Sequence, residues 1–202
     1  MQDGSKFKSI KLSNIPSYNL REQFYNHYHL VKSDEFANEI VNWKTGRSLE
    51  TNEFSWHSWP DQFFTLLTQM SLIGLESYVC TAVHFELGAI GRLDENIRFI
   101  KDPFSIPGDK GTAAKYYKLM PALYSKKITL PQCNPELWEE LKTFYRDIRN
   151  PLFHGKQLDT SNPDDLILVF ELLADVYEWI DSWHNPDQII SGSNWFTKLT
   201  RT

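Results

Sequence analysis

The sequence predicts an all-α protein, an up-and-down bundle of four main helices preceded by an N-terminal helical extension. Three observations carry this. Apolar residues recur every three to four positions in each long stretch, which is the helical period. A helix-start grammar of asparagine, proline and an acid occurs at Asn134-Pro135-Glu136 and again at Asn162-Pro163-Asp164. No internal repeat and no strand-rich region interrupts the pattern.

In chain order, residues 1–16 lack periodicity and end in Ile15-Pro16, an extended lead-in. Residues 17–44 predict two helical pieces, with Leu20, Phe24 and Tyr28 on one face and Phe36, Ile40 and Trp43 repeating it after Ser33. Phe54, Trp56 and Trp59 form an aromatic connector, so residues 1–58 are expected to be an accessory segment packed onto a bundle of residues 59–202. His27 and His29 stand two apart and diverge on a helix, which does not suit a shared metal.

Asp61 to Leu87 predicts the first main helix, apolar nearly all round, as a bundle's central helix must be. Glu76 is its only acidic or basic side chain between Asp61 and His84. Buried, that carboxylate needs a partner, and Arg149 is the candidate; on a solvent-facing strip it needs none. Gly74 would permit close helix approach. A short helix over Asp94 to Ile100 lies within a connection closed by Pro103 and Pro107, and a second main helix opens at Thr112 and runs to about Ser125. After Asn134 the residues Leu137, Leu141, Phe144, Tyr145 and Ile148 make one apolar face, while Arg146 and Arg149 share another. Leu166, Phe170, Leu173, Val176, Tyr177, Ile180 and Trp183 mark the last main helix.

Composition bounds the function. With 202 residues, 41% hydrophobic and 23% charged, the chain is long enough for one well-buried core. Two cysteines, Cys80 and Cys133, form no disulfide framework or zinc pattern and suit a reducing cytoplasm. Met1 to Lys11 is polar, unlike a signal peptide, and no uninterrupted apolar run reaches membrane-spanning length. The net charge of −5 disfavours sequence-blind affinity for nucleic acid. Residues 101–133 nevertheless carry six basic groups against two acidic ones, with Lys110, Lys115, Lys118, Lys126 and Lys127. They form either a solvated helix face or, with Lys156, a track for a phosphate backbone. Two short patterns fail on inspection. His84-Phe85-Glu86 lacks the second cysteine a deaminase zinc site requires. Gly108-Asp109-Lys110-Gly111-Thr112 has the wrong spacing for a phosphate loop.

The stretch Arg146-Asp147-Ile148-Arg149-Asn150-Pro151-Leu152-Phe153-His154-Gly155 remains. On an unbroken helix Arg149 and His154, five apart, would point about 140° from each other. Pro151 disfavours helical backbone at Asn150 and removes an amide donor, so the helix is expected to end or kink there and turn His154 toward Arg149. Arg21 and His27 share a similar spacing, but only the later pair has Asn after the Arg, Gly after the His and a helix-end position.

Arg149-Asn150-x-x-x-His154 resembles the R-x4-6-H signature of the HEPN superfamily, and the helix order over residues 59–202 fits the resemblance. Cleaving RNA through its own 2′-hydroxyl needs a base, an acid and fixed positive charge, and it needs no metal or cofactor. Histidine can serve in either proton role and arginine offers a planar fork of donors to the phosphoryl oxygens. One chain supplies a single such histidine, whereas a homodimer supplies two. The resemblance implies that dimer, an orienting role for Asn150, and products ending in a 2′,3′-cyclic phosphate. Arg146 and Glu76 would support the site. Three readings stand at this point. One is a metal-independent endoribonuclease of toxin, phage-defence or stress-response type, with an antitoxin as possible partner. Another is a non-catalytic HEPN-like module that binds nucleotide or RNA, or dimerises. The third is structural, with Arg149 paired to an acid and His154 capping a helix.

Overall fold

A computed structural model describes residues 17–34, 38, 59–158 and 163–184, and the expectations for the lead-in, the second N-terminal helical piece, the aromatic connector, the Asn162 cap and residues 185–202 lie outside them. The described residues form an all-α bundle with no strand. The main helices are α2 (Trp59–Ala89), α4 (112–124), α6 (135–153) and α7 (Pro163–Asp181). Helix α1 (Ser17–Lys32), helix α3 (Leu93–Lys101) and the short α5 (Leu130–Cys133) complete the set.

Helix α2 is the axis, packing against α1, α3, α4 and α7. Leu72, Leu75, Tyr78, Val79, Ala82, Val83 and Leu87 are all fully buried. Its segment Asp61–Ala89 is by length and composition apolar enough to cross a bilayer, with a mean hydropathy of 1.3 over an 18-residue window. Here most of that surface is covered by other helices. A stripe of Leu66, Met70 and Ile73, spaced four and three apart, stays 59%, 60% and 52% exposed. At Gly74 an added Cβ would meet only the Tyr177 hydroxyl, at 3.7 Å, so close helix approach does not require this glycine.

Helix α1 inserts its apolar face into the same core instead of resting on it. Leu20, Phe24, Tyr28 and Val31 are buried there, and the Phe24 ring stacks on Tyr177 with centroids 4.5 Å apart. Arg21 pairs with Asp181 at 2.9 Å, and the Tyr78 hydroxyl donates to the same carboxylate at 2.6 Å. His27 Nδ1 lies 3.2 Å from Ser71 Oγ. The alternative Arg21/His27 spacing is thus occupied with joining helices.

The connections follow local chemistry. Gly91, at φ 71°, ends α2 in the left-handed conformation that a non-glycine residue rarely adopts. Asp94 and Glu95 open α3 and Arg98 and Lys101 close it, each set at the favourable end of the helix dipole. The Asn134 side chain accepts from the Leu137 amide at 3.1 Å, as its cap position requires. Trp179 Nε1 donates to the Ile128 carbonyl at 3.0 Å and ties α7 to the turn before α5. Burial pushes the Cys80 thiol up to about 12, while Cys133 is exposed.

Candidate functional site

The two helices that build the site each contain a π turn. Helix α4 joins Thr112–Ala114, a π turn over Lys115–Leu119, and Met120–Tyr124. Helix α6 joins Pro135–Phe144, a π turn over Tyr145–Arg149, and Asn150–Phe153. Of the end or kink expected at Pro151, the end does not occur, because the chain stays helical to Phe153; the departure from the regular helix is the π turn just before the proline. A proline ring presses on the carbonyl four residues back and donates nothing to it. In a π turn the hydrogen bonds reach one residue further, which widens the helix just ahead of the proline. The end comes one turn later, where Gly155 adopts φ 88° and the His154 amide donates to the Asn150 and Pro151 carbonyls, each at 3.1 Å.

Arg149 projects from this helix into a polar cluster. Its Nη2 lies 3.1 Å from Glu76 Oε1 and 3.3 Å from Oε2, and Nη1 donates to Asn150 Oδ1 at 3.3 Å. The guanidinium sits 4.2 Å from the centroid of the Phe153 ring and 5.5 Å from that of Tyr145. Glu76 is therefore the buried, Arg149-paired carboxylate and not part of a solvent strip. Its Oε1 also accepts from the Tyr145 hydroxyl at 2.9 Å, and that hydroxyl lies 2.7 Å from the Tyr117 hydroxyl. With its one hydrogen given to Glu76, Tyr145 must accept from Tyr117. The two phenols come from the two π turns, and burial raises both well above the ordinary tyrosine range.

Burial also holds the Glu76 carboxyl above the usual range, while Arg149 and the Tyr145 hydrogen bond pull it partway back. A raised folded-state pKa means stability that is fully present below the unfolded value and lost as pH rises through the folded one. The stability advantage of wild type over Glu76→Gln is accordingly expected to be largest in acid and to shrink as pH rises. Thermal melts of both proteins from pH 4 upward check this, and a gap that widens with pH would contradict it.

The other sequence-predicted residues divide. Asn150 joins the cluster through Arg149. His154 follows at the helix end, exposed, its ring without a hydrogen bond among the described residues. Arg146 does not share Arg149's surroundings: it is exposed and forked onto Asp147 at 2.6 and 2.7 Å. Lys115 leaves the lysine track, since it is buried and its ammonium donates to the Ile106 carbonyl. Lys110, Lys118, Lys126, Lys127 and Lys156 are exposed. Sequence reasoning missed Tyr117, Tyr145 and Phe153. The available signal was Tyr145 itself, a hydroxyl on an apolar face four residues before Arg149, since a buried tyrosine needs a partner for its polar end.

Two surfaces adjoin the cluster. Gln69 Nε2 donates to the Leu152 carbonyl at 2.8 Å, which sets the exposed Leu66, Met70 and Ile73 stripe beside the motif. On another side a cavity of about 330 Å³ opens between the start of α4 and α6, with Tyr145, Arg146 and Asn150 in its wall. Glu86, from the rejected deaminase-like pattern, instead lies 2.9 Å from His184 Nδ1. No protein-family profile, curated protein or solved structure matches the chain.

Proposed function

We propose that the protein is a metal-independent endoribonuclease of HEPN type, with Arg149 and His154 as its catalytic residues. The observation that carries the proposal is the contrast within one helix end. Arg149 is fixed by Glu76 and Asn150, whereas five residues on the His154 imidazole is exposed and unpartnered among the described residues. A fixed cation and a free titratable ring are what 2′-hydroxyl attack needs. A neutral imidazole takes the 2′-hydroxyl proton and the oxygen bonds to phosphorus. The bond to the 5′-oxygen breaks, a protonated imidazole supplies that oxygen's proton, and a 2′,3′-cyclic phosphate remains. Glu76 and Asn150 engage the two Nη nitrogens and Nε is buried without a partner among the described residues, so the donors proposed for phosphoryl oxygens are the second hydrogens of the Nη groups.

The second imidazole comes from a second copy, so the working form is a homodimer. The apolar stripe of Leu66, Met70 and Ile73 beside the motif supports this, since contiguous exposed apolar surface favours association. Lys110, Lys118 and Lys156 are exposed for contact with the RNA backbone. Such an enzyme belongs in the cytoplasm, in a toxin, phage-defence or stress-response role with an antitoxin as partner. The net charge of −5, which disfavours broad affinity for RNA, favours a second reading, a non-catalytic module that binds a nucleotide or an RNA end, or dimerises.

RNA incubated with purified protein in EDTA is expected to be cut, with a bell-shaped pH dependence and cyclic-phosphate ends, and His154→Ala should slow the cutting by about 10²–10⁴-fold. Cutting at the wild-type rate in that variant would remove the assignment. Nucleotide-dependent thermal stabilisation without turnover would select the binding module.

A further inference from the structure

The cavity between α4 and α6 is joined to the catalytic cluster through two of its own wall residues. Asn150 accepts from Arg149 Nη1, and the Tyr145 hydroxyl donates to the carboxylate that holds Arg149. Two residues in the wall of this hollow are thus hydrogen-bonded to the two members of the Arg149 and Glu76 pair.

The wall chemistry decides what fits. Ala113, Ala114, Trp138 and Tyr145 give it apolar and aromatic surface, and all four are buried residues. The rim is polar but electrically balanced. Lys142 is already paired with Glu139 at 2.8 Å, and Arg146 is neutralised by Asp147 at 2.6 Å. Asp109 adds a carboxylate whose Oδ1 accepts from the Gly111 amide at 3.2 Å. With two acids among its lining residues, the hollow is a poor seat for phosphate. It suits a neutral, planar group that offers N–H donors as well as acceptors, and about 330 Å³ falls at the lower end of the size range of small-molecule sites.

We infer that this cavity is a nucleobase subsite, which takes the base of a nucleotide adjoining the phosphate at Arg149. The placement beside a phosphate at Arg149 rests on the ribonuclease reading, whereas base recognition itself is measured with nucleosides and without cleavage. Because the rim carboxylates of Asp109 and Glu139 are acceptors, bases with an exocyclic amino group bind better than uracil.

The test is titration of the full chain with adenosine, guanosine, cytidine and uridine, none of which carries a phosphate, followed by calorimetry or saturation-transfer NMR. Saturable binding is expected, weakest for uridine. Thr143→Trp, at an exposed wall position of α6, should weaken it at least tenfold while the melting temperature holds. Glu139→Gln, also exposed, serves as a second variant and should narrow the preference over uridine. No nucleoside binding to wild type, or binding that Thr143→Trp leaves intact, overturns the subsite. Wild-type protein that binds nucleosides in this way yet never cuts RNA keeps the subsite and rejects the nuclease, so the two ideas fail separately.

Discussion

Arg149→Ala is expected to remove the chemistry and part of the stability, whereas His154→Ala removes the chemistry alone. Arg149 and Glu76 have side chains only 15% and 10% exposed, so deleting the arginine leaves a buried carboxylate with just the Tyr145 hydroxyl. Breaking a buried pair from one side costs about 3–5 kcal/mol. Glu76 softens that loss by taking a proton, because burial already holds its carboxyl high and the arginine's opposing pull is now gone. The deficit should therefore be smallest in acid and grow with pH. His154 is exposed and its ring holds nothing among the described residues, so its loss leaves the melting temperature where it was. Activity should drop by about 10²–10⁴-fold for the histidine and about 10²–10³-fold for the arginine. Melting curves and EDTA-resistant cleavage, run together, separate the two roles. An Arg149→Ala protein as stable as wild type at every pH would mean that the pair does not hold the site.

Phe24→Ala should be the most damaging substitution outside the site, at about 3–5 kcal/mol, or on the order of 10 °C in melting temperature. Phe24 is 1% exposed, and its ring lies 4.5 Å from that of Tyr177 and 6.1 Å from that of Phe170. Its removal opens the seam where α1 enters between α2 and α7. Chemical denaturation gives the number directly. A loss below about 1 kcal/mol would make α1 a detachable unit.

The fold was legible where the chain states its own punctuation. Asn134 and Pro135 fix the start of α6, the charges at both ends of α3 mark its limits, and the spacing of Leu20, Phe24 and Tyr28 identifies α1. At the site, sequence supplied the Arg149 and Glu76 pairing as one of two readings, because a lone acid in an apolar helix must either be met or face water. It could not choose, since that depends on which faces of α2 and α6 meet. The shared face of Arg146 and Arg149 failed because it assumes 3.6 residues per turn through 145–149, where the helix is wider. Of the end or kink expected at Pro151 the end failed, because that wider turn gives the proline ring room. Lys115 was misplaced similarly, since it begins the π turn of α4 and points inward to the Ile106 carbonyl.

Each of these widened turns amounts to one residue more than the regular spiral would hold. Shortening 145–149 by a single position would let the helix close up without losing any backbone bond and would leave what lies beyond it close to its present phase, because the wider turn already absorbs the extra residue; what changes is the angle between positions inside the segment. Tyr145 and Arg149 sit at opposite ends of that segment yet reach the same carboxylate. The local length of the chain here thus acts as a phase setting for the guanidinium, and a change of register would undo it even with every side chain still present.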